Sequence, residues 1–132
     1  MGFHTFDAEK AEKLEDESRY RYVSREELVG SLDPSDGDVV ADLGSGTGFY
    51  TDDVAPHVGQ LYAVDVQEPM HDQYREKGVP ENVSLVTANV AELPFDDGEL
   101  DGAFSTMTFH EFAGANALEE VARVLADDGR LV

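Results

Sequence analysis

The run Val39-Val40-Ala41-Asp42-Leu43-Gly44-Ser45-Gly46-Thr47-Gly48 constrains this chain more than any other segment. An apolar stretch ends on an acid and then breaks into glycines at alternate positions. Val39 to Leu43 reads as a short buried strand, and the glycines form a turn whose backbone can approach a ligand without interference from a Cβ. Phe49 to Ala55 then begins a helix, so the segment reads as a strand, a nucleotide-type loop and a helix.

The glycine spacing narrows the ligand. A dinucleotide fold seats a pyrophosphate on G-x-G-x-x-G, whereas here the third glycine comes one residue early, at Gly48, and Phe49 takes the place of the last glycine. No Gly-Lys-Ser/Thr follows, which excludes a Walker-type loop. Asp42, just ahead of the glycines, repels a phosphate but suits a ligand that presents an ammonium group.

With these residues the chain resembles the class I S-adenosylmethionine-dependent methyltransferases, whose first motif is acidic-x-Gly-x-Gly-x-Gly after a first strand. The resemblance runs from about Asp33 to Val132. Leu61 to Val66 is a second strand carrying Asp65 near its end, roughly 20 residues beyond the loop, the distance of a ribose-binding carboxylate. Val83 to Phe95 looks like the third strand and the loop that holds adenine, with Asn89 where most members have Asp; its amide oxygen is expected to accept from the adenine amino group, more weakly than a carboxylate. Leu100 to Glu111 looks like the fourth strand running into the active-site loop.

The resemblance implies a Rossmann-like three-layer α/β/α sandwich with a mostly parallel sheet in the order 3-2-1-4-5. It also implies that the family's last two strands are missing, so residues 33–132 read as a cofactor-binding core truncated at its C-terminus. S-adenosyl-L-methionine is the implied cofactor. Asp42 and the backbone of Gly44, Ser45, Gly46 and Gly48 would hold its methionine end, Asp65 with Val66 the ribose, and Asn89 with Val90 the adenine, with Met70 packing on the adenine face. Ser105 and Thr106 would line the methyl-transfer side.

Residues 1–32 are different in kind and read as a helical lid or cap. Ser24 is an N-cap, Glu27 closes a capping box and Gly30 is the expected C-cap. Phe6, Tyr20 and Tyr22 are either lid contacts or packing for the first helices. Ala117 to Ala126 reads as an amphipathic helix stopped by Asp127-Asp128-Gly129, and Arg130-Leu131-Val132 starts a fifth strand whose bare edge invites pairing with a second copy. Asp52 and Asp53 are favourable charges in a first helical turn, and Asp96-Asp97-Gly98 is a turn.

His110-Glu111 is the one candidate for catalytic chemistry. Without a second histidine it is not a H-E-x-x-H zinc helix. His110 either takes a proton from or orients an acceptor, or it is a structural histidine.

Composition bounds the partners. With 29 acidic and 9 basic residues the formal charge is −20, which repels nucleic acid and anionic membranes and favours a small-molecule acceptor. Such an acidic, lysine-poor surface resembles proteins of salt-loving archaea. The hydrophobic fraction of 41% excludes an acidic disordered chain, and the absence of cysteine excludes disulfides and thiolate chemistry. No signal peptide or membrane span is visible, so the cytoplasm is the expected compartment. Two other functions stay open: a cofactor-binding module without catalysis, and a nucleotide-dependent oxidoreductase.

Overall fold

The computed structural model describes residues 24–106 and 115–132. Helix α1 (Arg25–Leu32) opens this part, followed by β1 (Val39–Leu43), α2 (Phe49–Val54) and a short 3-10 turn, Ala55–His57. Then come β2 (Gln60–Asp65), α3 (Glu68–Lys77), β3 (Val83–Thr87), β4 (Leu100–Phe104), α4 (Ala115–Val124) and β5 (Leu125–Leu131). The sheet order is β3-β2-β1-β4-β5, and every neighbouring pair is parallel. This is the Rossmann-like order that the resemblance implies, and the parallel pairing suits the alternation of strand and helix signals.

Alternation along the strands builds two cores, one on each face of the sheet. Val40, Leu61, Ala63 and Phe104 pack with Leu28 and Leu32 of α1, Tyr50 and Val54 of α2, and Tyr74 of α3. Ala41, Leu43, Val64 and Ala103 pack on the other face with Val121 and Val124 of α4 and with Val90, Leu93 and Phe95 of the β3–β4 connection. Parallel strands covered on both faces read as apolar runs, which is why β1 was visible in the sequence as Val-Val-Ala ahead of Asp42. Among the described residues no helix is long and apolar enough to cross a membrane.

Two helix ends differ from expectation. The capping box at Ser24 and Glu27 forms, but α1 runs through Gly30 to Leu32 and is capped by Asp33 in a left-handed conformation, φ 48°. Packing outweighs the glycine: one turn beyond Leu28, Leu32 is buried, reaching the place on β4 where Gly102 has no side chain. At the other end, α4 stops at Val124 rather than Ala126, and Asp127-Asp128-Gly129 lies within β5 instead of before it. The pairing explains this. Leu125 faces Leu100 and Arg130 faces Gly102, so residues 126–129 bulge out of a strand that has already begun.

Of the expected cap over residues 1–32, the described part is α1, which buries Leu28 and Leu32 against the sheet. Phe6, Tyr20 and Tyr22 lie outside the described residues.

Candidate functional site

The glycine loop turns at the carboxyl end of the sheet. Where β1 ends, the N–H groups of Gly44 and Ser45 both donate to the Val64 carbonyl, at 2.8 and 2.9 Å, which bends the chain across the neighbouring strand. Gly44, Gly46 and Gly48 all have positive φ, 82°, 58° and 88°, so their alternate spacing marks three left-handed residues in one tight turn.

Asp65 ties this loop to β2. Its Oδ2 accepts the Gly46 N–H at 2.8 Å and its Oδ1 accepts the Gln67 N–H at 2.8 Å. The acid is therefore held in a fixed orientation under the loop tip. A carboxylate has about four lone-pair sites, so capacity remains for hydroxyl donors.

Asp42 is buried between β1 and α2, where Thr51 Oγ1 donates to its Oδ2 at 2.6 Å. The acid ahead of the glycines thus anchors the helix that follows them.

Sheet order reverses at the β1–β4 pair, with Asp42 opposite Phe104. Open α/β sheets bind ligands in the crevice at such a switch point. Ser45 follows β1 here and Ser105 follows β4, and the Oγ atoms of both are buried with no hydrogen-bond partner among the described residues. A buried hydroxyl left unpaired costs about 1–3 kcal/mol. Two such groups beside a glycine loop suit a polar ligand bound across the switch point. Thr106, half-buried, is the next residue along, and His110 lies outside the described residues.

On the far side of Asp65, Val66 is 47% exposed whereas Met70, inside α3, is buried at 1%. Val66 is thus the exposed apolar side chain here, and Met70, expected on the adenine face, lies in the interior. Asn89 is exposed, with Val90 buried behind it. The Asn89 side-chain oxygen, expected to meet an adenine amino group, accepts the Ala91 N–H at 2.9 Å and so folds its own turn.

Two clusters of side chains that the sequence did not bring together brace the neighbouring segments. On α4, Arg123 donates to both carboxylate oxygens of Glu120, at 2.7 and 2.8 Å, to the carbonyls of Phe95 and Leu93, and to Asp97. Glu120 in turn accepts the Leu93 N–H at 2.7 Å. The bonds from Arg123, with that from Leu93, hold the Glu120 carboxyl down at about 2, below its ordinary 4.5. The i, i+3 spacing of Glu120 and Arg123 was a visible signal, though one that usually marks a solvated pair. The second group is Tyr74, Asp52 and Lys77, of which the sequence marked only Asp52, as a charge in a first helical turn: the Tyr74 hydroxyl donates to Asp52 Oδ1 at 2.6 Å, and Lys77 Nζ lies 3.2 Å from Asp52 Oδ2.

Comparison with known proteins identifies the family and the fold. Residues 41–132 match the family described as a methyltransferase domain. An uncharacterised methyltransferase-like protein of Schizosaccharomyces pombe is 35% identical over 94 residues, 70% of this chain and 36% of its own length. A SAM-dependent methyltransferase from Aquifex aeolicus superposes with a TM-score of 0.82 at 34% identity, covering 92% of this chain and 69% of its own. A Haloferax volcanii methyltransferase, solved in complex with the Trm112 methyltransferase activator, has a TM-score of 0.80 at 26% identity and is covered over 55% of its length. The chain spans 36% to 42% of the length of the curated relatives it matches first.

Proposed function

This chain belongs to the methyltransferase domain family, whose cofactor is S-adenosyl-L-methionine, and from that premise we propose that it serves methyl transfer to a small-molecule acceptor. One observation carries the reading: Asp65 fixes the Gly46 amide at the mouth of the switch point, where the buried Ser45 and Ser105 hydroxyls have no hydrogen-bond partner among the described residues. Those residues fit the cofactor's polar groups.

When bound, the cofactor supplies an electrophilic methyl group on a sulfonium. The work left to the protein is alignment of the acceptor and exclusion of water. In this reading the Gly44–Gly48 backbone receives the methionine portion, Asp65 accepts from the ribose hydroxyls, and Val66 and the Asn89–Val90 turn flank the adenine. Ser105 and Thr106 border the methyl-transfer side, and His110 is the residue to test as a proton acceptor or orienter.

Charge supports a small acceptor over a nucleic acid. Among the described residues Arg25, Arg75, Lys77 and Arg123 each sit in ion pairs with carboxylates, and the formal charge of the chain is −20. A polyanion needs a run of cations with which to displace its counterions.

Titration decides between this reading and its rivals. S-adenosylhomocysteine is expected to bind and raise the melting temperature, whereas NAD, NADP and ATP leave it unchanged. Binding of NAD in place of S-adenosylhomocysteine would move the assignment to an oxidoreductase. Binding of S-adenosylmethionine with no transfer of a radiolabelled methyl group to small molecules or to nucleic acid would leave a cofactor-binding module.

A further inference from the structure

Gly48 reads from the sequence as room for a ligand, yet that room is filled from within the protein. A Cβ on Gly48 would lie 2.3, 2.4 and 2.6 Å from three atoms of the Tyr74 ring, so the fully buried ring rests directly on the glycine backbone. Beyond the ring, the Tyr74 hydroxyl donates to Asp52 Oδ1 at 2.6 Å, and the Asp52 N–H donates to the Gly48 carbonyl at 3.0 Å. Lys77 sits 3.2 Å from the other Asp52 oxygen and 5.0 Å from the centre of the same ring. Ring, acid and lysine thus close on the point where the loop becomes α2.

Asp65 holds the same loop two residues earlier, through the Gly46 N–H. Both holds come from one unit of chain, β2 and the helix α3 that follows it. The element that presents the ribose-side carboxylate therefore also sets the position of the glycine backbone relative to that carboxylate. A loop already in its binding shape loses less freedom when a ligand arrives, so what fixes the loop also raises affinity.

We infer that Tyr74 is a positioning residue for the cofactor site: braced by Asp52 and Lys77, it locks the exit of the glycine loop and so sets how tightly the S-adenosyl ligand is held. The inference rests on the methyltransferase reading, and its test separates the two. Tyr74→Phe keeps the ring over Gly48 and removes only the hydroxyl; Tyr74→Leu removes the ring contact as well. Leu32→Ala serves as the comparison, because Leu32 is buried by α1 against Gly102 of β4.

Two measurements are made on each protein: calorimetric Kd for S-adenosylhomocysteine, and amide hydrogen exchange of residues 44–52 without ligand. Tyr74→Phe is expected to raise Kd about tenfold, the worth of one hydrogen bond to a carboxylate, and Tyr74→Leu further. Both should exchange their loop amides faster than wild type. Leu32→Ala should lower the melting temperature while leaving Kd and loop exchange unchanged. Tyr74 variants that lose stability yet keep wild-type Kd and wild-type loop exchange would reduce Tyr74 to a core residue and overturn the inference. Should Tyr74→Leu fail to fold, Tyr74→Phe decides alone. A wild-type chain that binds no S-adenosylhomocysteine would overturn the methyltransferase reading, and the exchange rates of Tyr74→Phe would still decide whether the loop is locked from α3.

Discussion

Glu120 and Arg123, one turn apart on α4, grip the two sides of Leu93: Glu120 accepts its N–H at 2.7 Å and Arg123 donates to its C=O at 3.1 Å. Arg123 also holds the Phe95 carbonyl, and the Phe95 ring packs on Tyr62 of β2 with centroids 4.8 Å apart. The connection that follows Asn89 and Val90 is thereby fastened to a helix on one side and to the sheet on the other. An ion pair that would be nearly idle on an open surface becomes structural here because backbone groups complete it.

Glu120→Ala should therefore destabilise the fold by more than an ordinary surface substitution. It leaves the N–H of Leu93, a buried residue, without its acceptor, a loss of about 1–3 kcal/mol. Urea unfolding of the variant beside wild type measures this. Arg123→Ala should act in the same direction and loosen the 89–97 segment, seen as faster amide exchange at Leu93 and Phe95. A change in midpoint no larger than that of an exposed-site control would show the grip to be incidental.

The same pair predicts a pH dependence of definite sign. In the folded protein Glu120 titrates at about 2, below its ordinary 4.5, so the native state binds this proton more weakly than the unfolded chain does. The stabilisation from the Glu120 carboxylate is then complete above about 4.5 and is lost as pH falls through about 2. Glu120→Gln retains the shape without the titration. Melting temperatures of wild type and Glu120→Gln should differ most at neutral pH and converge between those two values. A gap that stays constant down to pH 2 would contradict the assignment.

How far the site could be read from the sequence depended on whether its residues announce themselves locally. The glycine turn and Asp65 were legible because positive-φ glycines have a fixed spacing and a strand-end acid sits a fixed distance on. The sheet order followed from alternating strand and helix signals together with the family pattern. The Tyr74–Gly48 contact was not legible, since it joins a loop glycine to a residue on α3 far along the chain and an aromatic on a helix ordinarily means only core. Met70 was named for its closeness to Asp65 in sequence, and the phase of α3, which turns Met70 inward and leaves Val66, before the helix begins, exposed, could not be read from that closeness. Gly30 misled because a glycine can end a helix, while the burial of Leu32 carries this one past it.

Asp65→Ala tests the acid in both of its roles. It removes the acceptor of the Gly46 and Gln67 amides as well as the proposed ribose contact. Affinity for S-adenosylhomocysteine should fall by roughly one to two decades, the cost of hydrogen bonds to a charged group. Asp65→Asn keeps an oxygen for one amide only, so its affinity should fall between wild type and alanine. Calorimetric Kd values in the order wild type, Asn, Ala support the assignment, and an alanine variant with unchanged Kd would remove Asp65 from the site.

Salt should stabilise this protein. With 29 acidic and 9 basic residues, the folded chain gathers like charges that the expanded chain keeps apart, so self-repulsion favours unfolding in dilute buffer. The basic groups described in ion pairs, such as Arg75 with Glu68 and Asp72, offset only a small part of that excess. Raising ionic strength to 1 M shortens the Debye length to about 3 Å, which screens long-range repulsion while leaving close contacts such as Thr51–Asp42, at 2.6 Å, within reach. Thermal unfolding in potassium chloride from low to molar concentration is expected to show a rising melting temperature, with most of the gain arriving before the repulsion is fully screened. A melting temperature that stays flat or falls across that range would mean that the acidic surface costs the fold little and that its composition is no adaptation to salt.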